Sequence, residues 1–265
     1  MSKKVAIVTG GTSGIGRATA LALQEHGYTV YELSRRAEGM PDIRHIVADI
    51  TKEETLQAAV EQVLAVAGRL DLVVNNAGFG ISGAIEFTDT QETQRLFDTL
   101  FFGMVRMNRC VIPLMRQQGR GRIVNISSVA APVPIPFQAY YSAGKAAINA
   151  YTMALANELR PFGVTVCAVM PGDIKTGFTA ARHKIIDGDD IYQGRIGRSV
   201  QRMEHDEQTG MDPATVGRYI AAVASREGSH HPLYATRIDY KFFVFLTKVL
   251  PARFLNWLIY QLYGK

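Results

Sequence analysis

Short apolar runs rich in β-branched residues recur along the chain, at residues 5–8, 29–33, 45–48, 72–74, 123–126 and 164–169. They do not alternate with polar residues, so each predicts a strand buried on both faces. Between them the spacing is helical, over residues 15–25, 53–66, 92–116 and 141–160, and again over 213–224. Strands alternating with helices predict right-handed βαβ crossovers. The expected fold class is α/β, a single Rossmann-like doubly wound parallel sheet with helices on both faces. No linker-like tract or repeat interrupts residues 1–265, which read as one domain.

Two stretches depart from this rhythm. Residues 177–211 carry many charges and several glycines without a clean period, and are expected to form a substrate lid. Asp212-Pro213 then restarts a helix, as an N-cap with proline in the first turn. Residues 240–265 form an apolar extension, but Lys248, Pro251 and Arg253 interrupt it, so it does not read as a membrane span. Within it Leu255, Leu258, Ile259 and Leu262 make one helical stripe, with Phe254, Trp257 and Tyr260 beside it. Packing on the body or on a partner subunit is the plain reading. Peripheral membrane contact, or a greasy gate for a lipid-like substrate, is the alternative.

Composition narrows the function classes. The 265 residues are 47% hydrophobic and 20% charged, within the globular range. Cys110 and Cys167 are the only cysteines, which excludes a disulfide framework and fits a reduced compartment. The amino terminus shows no export signal, so a cytoplasmic location is expected. A net charge of +5 without a basic run does not imply nucleic acid, and suits an anionic small ligand as well. His230-His231 has no further ligands at metal spacing, and no metal site is expected.

The chemistry begins at Thr9-Gly10-Gly11-Thr12-Ser13-Gly14-Ile15-Gly16, between the first strand and the first helix. Gly10 suits a tight turn, Gly14 lets a pyrophosphate approach the backbone, and Gly16 allows close helix–strand packing. The amino end of the helix offers free N–H groups to phosphates. Further on, Tyr141 and Lys145 lie four apart on a helix, on one face. A neighbouring ammonium favours an ionised tyrosine, which makes Tyr141 a candidate acid or base at a hydroxyl-bearing carbon.

With Asn75-Asn76-Ala77-Gly78, Ser128, Tyr141-Ser142-Ala143-Gly144-Lys145 and Pro171-Gly172 following in order, the chain resembles the classical short-chain dehydrogenases/reductases over residues 4 to 176. The resemblance implies an oxidoreductase that interconverts a carbonyl and a secondary alcohol. Tyr141 would be the proton donor and Lys145 would tune it and hold the nicotinamide ribose. Ser128, thirteen residues before Tyr141, would hold the substrate oxygen. Tyr140 is then the structural tyrosine. For the cofactor the resemblance implies contacts from Gly10, Thr12, Ser13, Gly14, Ile15 and Gly16, from Asp49 and Ile50 at the adenine, and from Asn75, Ala77 and Gly78. Pro171, Gly172, Ile174 and Thr176 complete the set, together with Tyr141 and Lys145.

Ser34 stands where NAD-preferring members have an acidic residue, and Arg35, with Arg36, suits a 2′-phosphate. NADP(H) is therefore expected, with NAD(H) the alternative. Glu32 lies on the opposite side of its strand from Leu33 and is not expected to read the ribose. One departure concerns the proton relay: Leu100 falls where the family carries an asparagine. This leaves a second reading open, a dinucleotide-sensing regulatory protein with weak turnover. The substrate is expected to be mostly apolar, with residues 132–137, Phe79, Ile81 and Phe178 as pocket walls. The charges at His183, Lys184, Asp187, Asp189, Asp190, Arg195, Arg198 and Arg202 read as a solvated loop. The resemblance also implies a homodimer or homotetramer through the two long helices. The apolar C-terminus loosely resembles the 17β-hydroxysteroid dehydrogenase-like and acyl-dihydroxyacetone-phosphate reductase-like branch.

Overall fold

The computed structural model describes residues 3–226, 228 and 231–265; His230 lies outside the described residues. Its strands are β1 (Val5–Thr9), β2 (Thr29–Ser34), β3 (Arg44–Val47), β4 (Leu72–Asn75), β5 (Ile81–Ser82), β6 (Gly121–Ile126), β7 (Val164–Met170), β8 (His183–Lys184) and β9 (Leu233–Ala235). Seven of them form one sheet in the order β3-β2-β1-β4-β6-β7-β9, every neighbouring pair parallel. The order reverses between β1 and β4. At such a point the loops leave in opposite directions and open a crevice beyond the strand ends.

The β-branched runs form central strands because both faces are covered. Ala6 and Val8 face α1 (Gly14–Glu25) and α8 (Pro213–Ala224), in a core with Leu23, Val216 and Ile220. Val5 and Ile7, pointing the other way, face α2 (Glu53–Ala67), α4 (Gly103–Gln118) and α5 (Ala139–Leu159), in a core with Val60, Met107 and Leu155. Alternation along β1 thus assigns successive side chains to two apolar layers.

Several boundaries differ from expectation. The helix expected over residues 92–116 is α3 (Thr90–Phe97), a π-helical turn at Asp98–Phe102, and α4. In that turn the Gly103 N–H reaches back five residues to the Asp98 carbonyl. Residues 177–211 are not irregular throughout: they hold α6 (Phe178–Ala181), β8 and α7 (Arg195–Gln208). Helix α7 buries Ile196, Ser199, Val200 and Met203 at three- and four-residue spacing, an amphipathic pattern hidden among its charges. Asp212 occupies the N-cap of α8, but its side chain makes no capping bond. Strand β9 was not expected, and the extension folds as α9 (Ile238–Val249) and α10 (Ala252–Ile259).

A buried polar network ties the sheet to its helices behind the crevice. Asn75 Nδ2 donates to Asn108 Oδ1 at 2.7 Å and to Asn125 Oδ1 at 2.9 Å. Asn125 Nδ2 donates to Thr152 Oγ1 at 2.9 Å, joining β6 to α5. Removing one partner leaves buried groups without bonds. Asn125→Ala is therefore expected to lower unfolding stability by about 1–3 kcal/mol, seen as a reduced urea midpoint at unchanged slope. An unchanged midpoint would contradict a structural role for the network.

Candidate active site

At the crevice the chain turns sharply after β1. Gly10 adopts φ +67° and Gly14 φ +53°, left-handed conformations that favour glycine. A Cβ on Gly16 would collide with the Gly10 carbonyl, so α1 can start this close to β1 only with glycine there. Asn76 fastens the turn: its Nδ2 donates to the Thr9 carbonyl at 3.1 Å and the Gly10 carbonyl at 3.2 Å. Ser13, at the N-cap of α1, makes no side-chain capping bond, so its hydroxyl satisfies none of the helix's first N–H groups.

These loops border a cavity of about 1270 Å³, large for a small-molecule pocket. Gly10, Thr12, Ser13, Gly14 and Ile15 line it, as do Ser34, Arg35, Arg36, Asp49, Ile50, Ala77 and Gly78. Ser128, Tyr141, Lys145, Pro171, Gly172, Ile174 and Thr176 line it too, so one space brings all of these expected site residues together. Two expected contacts do not face it. Gly16 packs beneath the loop against Gly10, and Asn75 turns its amide into the buried network. The neighbouring Asn76 lines the cavity in its place, because a one-residue step at a strand end reverses the side-chain direction.

The arrangement fits an elongated anionic cofactor. Gly14 offers bare backbone opposite Thr176, whose Cβ would lie 3.6 Å from a Cβ added there. Ser34 Oγ is buried without a hydrogen-bond partner, while Arg35 and Arg36 are exposed. Glu32 is fully buried and does not line the cavity, its carboxylate bonded to His45. Burial raises its pKa, and the His45 hydrogen bond and charge act against that rise. Asp49 accepts from Thr51 N at 3.0 Å and from Thr51 Oγ1 at 2.8 Å. Burial opposes ionisation of Asp49, but these bonds and the nearby Arg35 and Lys52 charges hold its pKa below the ordinary value.

Deeper in, the Ser128 hydroxyl accepts from the Ala130 N–H at 3.1 Å and acts on Tyr141 to favour its ionised form. Lys145, 5% exposed, donates from Nζ to the Ile126 carbonyl at 2.7 Å, and Nζ lies 5.5 Å from the centre of the Tyr141 ring. The expectation that Lys145 lowers the tyrosine pKa is not met, because burial is the largest influence on Tyr141. Burial pushes Tyr141 up to about 12 and Lys145 down to about 7, because a low-dielectric site disfavours both charged forms. Arg182, whose side chain is fully buried and ion-paired with Glu207, acts with Ser128 to oppose the tyrosine shift. Sequence reasoning missed Arg182 and Glu207, which come from the stretch read as irregular.

Leu100 is 2% exposed and lies in the π-helical turn, packed against Gly78 and Gly144. The position that in the family carries an amide is here an apolar part of the cavity wall. Phe79, Ile135 and Phe178 also line the cavity, and Phe178 meets the Tyr141 ring at 5.8 Å. Ile81 and the other residues of 132–137 do not line it. Of the charged residues in 177–211, His183 and Glu207 line the cavity, whereas Lys184 pairs with Glu204 and Arg202 with Asp206.

The lysine shift has a measurable sign. Between about pH 7 and 10.5 the unfolded chain binds more protons at Lys145 than the folded chain does, so stability rises with pH through that window. From pH 7 to 9 this group is expected to add roughly 2 kcal/mol, an increment that Lys145→Met abolishes. Parallel stability–pH curves for the two proteins in urea would contradict the burial argument.

A family model described as short chain dehydrogenase matches residues 4–185. Over 261 residues the chain is 38% identical to the 3-ketodihydrosphingosine reductase of Bacteroides thetaiotaomicron, covering 97% of this chain and 94% of that protein. A short-chain dehydrogenase from Streptomyces avermitilis superposes with a TM-score of 0.82 at 33% identity, over 92% of each chain. The 3-ketoacyl-(acyl-carrier-protein) reductase of Brucella melitensis, solved in complex with NADH, gives 0.74 at 27% identity, over 88% of this chain and 96% of that one. Likeness that runs over nearly the whole length, in sequence and in fold alike, makes this chain a classical short-chain dehydrogenase/reductase: an oxidoreductase of carbonyl and alcohol groups that uses a nicotinamide dinucleotide.

Proposed function

We propose that the protein is an NADP(H)-dependent reductase of a ketone or aldehyde on a mostly apolar, lipid-like molecule. The observation that carries this reading is that Ser128, Tyr141 and Lys145 line one cavity with Ser34 and Arg35. Arg35 and Arg36 would hold the 2′-phosphate by charge-assisted bonds. No carboxylate opposes them at position 34, and that of Glu32 is engaged elsewhere. The glycine loop and the start of α1 would hold the pyrophosphate, and Asp49 and Ile50 would border the adenine. Phe79, Leu100, Ile135 and Phe178 would enclose the substrate. The name of the Bacteroides relative, a 3-ketodihydrosphingosine reductase, supports a lipid ketone.

When bound, the cofactor supplies the hydride. Ser128 Oγ orients the carbonyl oxygen, and Tyr141 delivers the proton to it, so that hydride and proton together convert C=O to CH–OH. A tyrosine held neutral by burial suits the reductive direction, since the proton is in place at neutral pH. Lys145, tethered to the Ile126 carbonyl, would hold the ribose hydroxyls and carry positive charge toward Tyr141 once it is protonated.

Residues 177–211 would act as a substrate lid on one domain spanning residues 1–265, with 240–265 as an appended extension. A homodimer or homotetramer through α3–α4 and α5 is part of the same reading, supported by exposed Phe102 and Met153 on these elements. A reduced, cytoplasmic setting fits the two free cysteines. The second reading, a dinucleotide sensor with little turnover, rests on buried Leu100 alone.

Tyr141→Phe separates the two. Ketone-dependent oxidation of NADPH is expected to fall at least about 100-fold, with NADPH binding retained. Activity equal to wild type would remove Tyr141 from its role as proton donor. If the wild type binds NADPH but turns over none of a panel of long-chain ketones, the sensor reading is favoured.

A further inference from the structure

Helix α9 presents an apolar face that none of the described residues covers. Ile238, Phe242, Phe245 and Val249 follow one another at four-, three- and four-residue spacing, and so fall on a single stripe. They are 81%, 58%, 55% and 56% exposed. Beyond the turn at Leu250-Pro251, α10 buries Ile259 and leaves Phe254 and Trp257 about half exposed, their rings stacked at 5.8 Å. A monomeric soluble surface seldom gathers so many large apolar groups without using them.

Charge indicates what covers this face. Lys241 and Lys248, both exposed and seven residues apart, lie on one flank of the α9 stripe. Arg253 and Lys265 are exposed as well, and the one acidic residue of the segment, Asp239, is paired with Arg237. A second copy meeting this face across a two-fold axis would set like charges against like charges, with no free carboxylate in the segment to offset them. An anionic lipid surface offers the complement: acyl chains for the phenylalanines, the interfacial zone for Trp257, and headgroups within reach of the lysine stems.

We propose that α9 and α10 dock the protein on the surface of an anionic bilayer, lying in the interface without crossing it. Among the described residues no helix is long and apolar enough to span a membrane. The segment that carries this face is joined to the cavity wall. Tyr240 of α9 rests on Gly172, and its hydroxyl accepts from the Asp173 N–H at 3.0 Å. Arg195 of α7 donates to the Gly264 carbonyl at 2.6 Å, and Arg198 to that of Lys265 at 3.1 Å. Helix α9 therefore carries its exposed stripe on one side and packs on the loop at Pro171 with the other, while the segment after α10 is bonded to α7. The proposal is independent of the reaction assigned to the cavity.

Trp257 is the chain's single tryptophan and serves as an internal reporter. The full-length protein is mixed with vesicles of phosphatidylcholine, alone or with phosphatidylglycerol, and followed by tryptophan emission and co-sedimentation. The expected result is a blue shift and co-sedimentation with the anionic vesicles. Phe242→Ser/Phe245→Ser, at positions more than half exposed, should abolish both while circular dichroism remains that of wild type. Lys241→Gln/Lys248→Gln should weaken partitioning by about tenfold. Absence of binding by the wild type would overturn the proposal, as would binding that the phenylalanine variant retains. A phenylalanine variant that changes the sedimenting mass, from a wild type that ignores vesicles, would assign the face to an interface between copies and equally overturn it.

Discussion

Everything in the site depends on how closely α1 approaches the end of β1. Gly16 lets the helix start against the Gly10 carbonyl, and Asn76 bridges from the neighbouring loop to the Thr9 and Gly10 carbonyls. The two loops that diverge at the switch point are thereby held together at their roots and open only further out. A larger residue at position 16 would lift the helix start, and with it the N–H groups that face the cavity. The parallel sheet supplies the setting, since all its strands end at the same edge and are shielded on both faces by apolar layers.

That same shielding sets the electrostatics. Tyr141 and Lys145 come from one helix face, which brings them together but does not determine their charge states. Burial moves the tyrosine up and the lysine down, which favours the uncharged form of each. Leu100 adds to the dryness of this region, because an apolar side chain takes the place of an amide that could bind water. Arg182, paired with Glu207, brings a guanidinium charge that acts on the tyrosine. Residues 177–211 thus contribute to the electrostatics of the cavity as well as to its walls.

Much of this was legible in the residues. The continuous apolar runs announced central parallel strands, and the glycine spacing announced the turn between β1 and α1. Four-residue spacing put Tyr141 and Lys145 on one face. What escaped depends on tertiary context. Helix α7 hides a sound apolar stripe among arginines, aspartates and glutamates, so its charge masked its period. Strand β9 is three residues long and becomes a strand only by pairing with β7. The exchange of roles between Asn75 and Asn76 turns on where β4 ends, a boundary that periodicity leaves loose by a residue. The pKa directions follow from depth of burial, which no local pattern encodes. In the extension, Ile259 of the expected stripe is buried and Leu255 and Leu258 are half-buried, but Leu262 is exposed, and the longer exposed face lies on α9, whose stripe ran unrecognised through the interrupted apolar segment.

The most direct measurement is a fluorescence titration of the purified protein with NADPH and, separately, with NADH. If the crevice beyond β1 and β4 holds the dinucleotide and Arg35 reads its 2′-phosphate, NADPH binds at least about tenfold tighter, a difference of ~1.4 kcal/mol that one charge-assisted contact can supply. Equal affinities, or tighter binding of NADH, would contradict the reading of Arg35. Binding of neither by the folded chain would contradict the dinucleotide site itself.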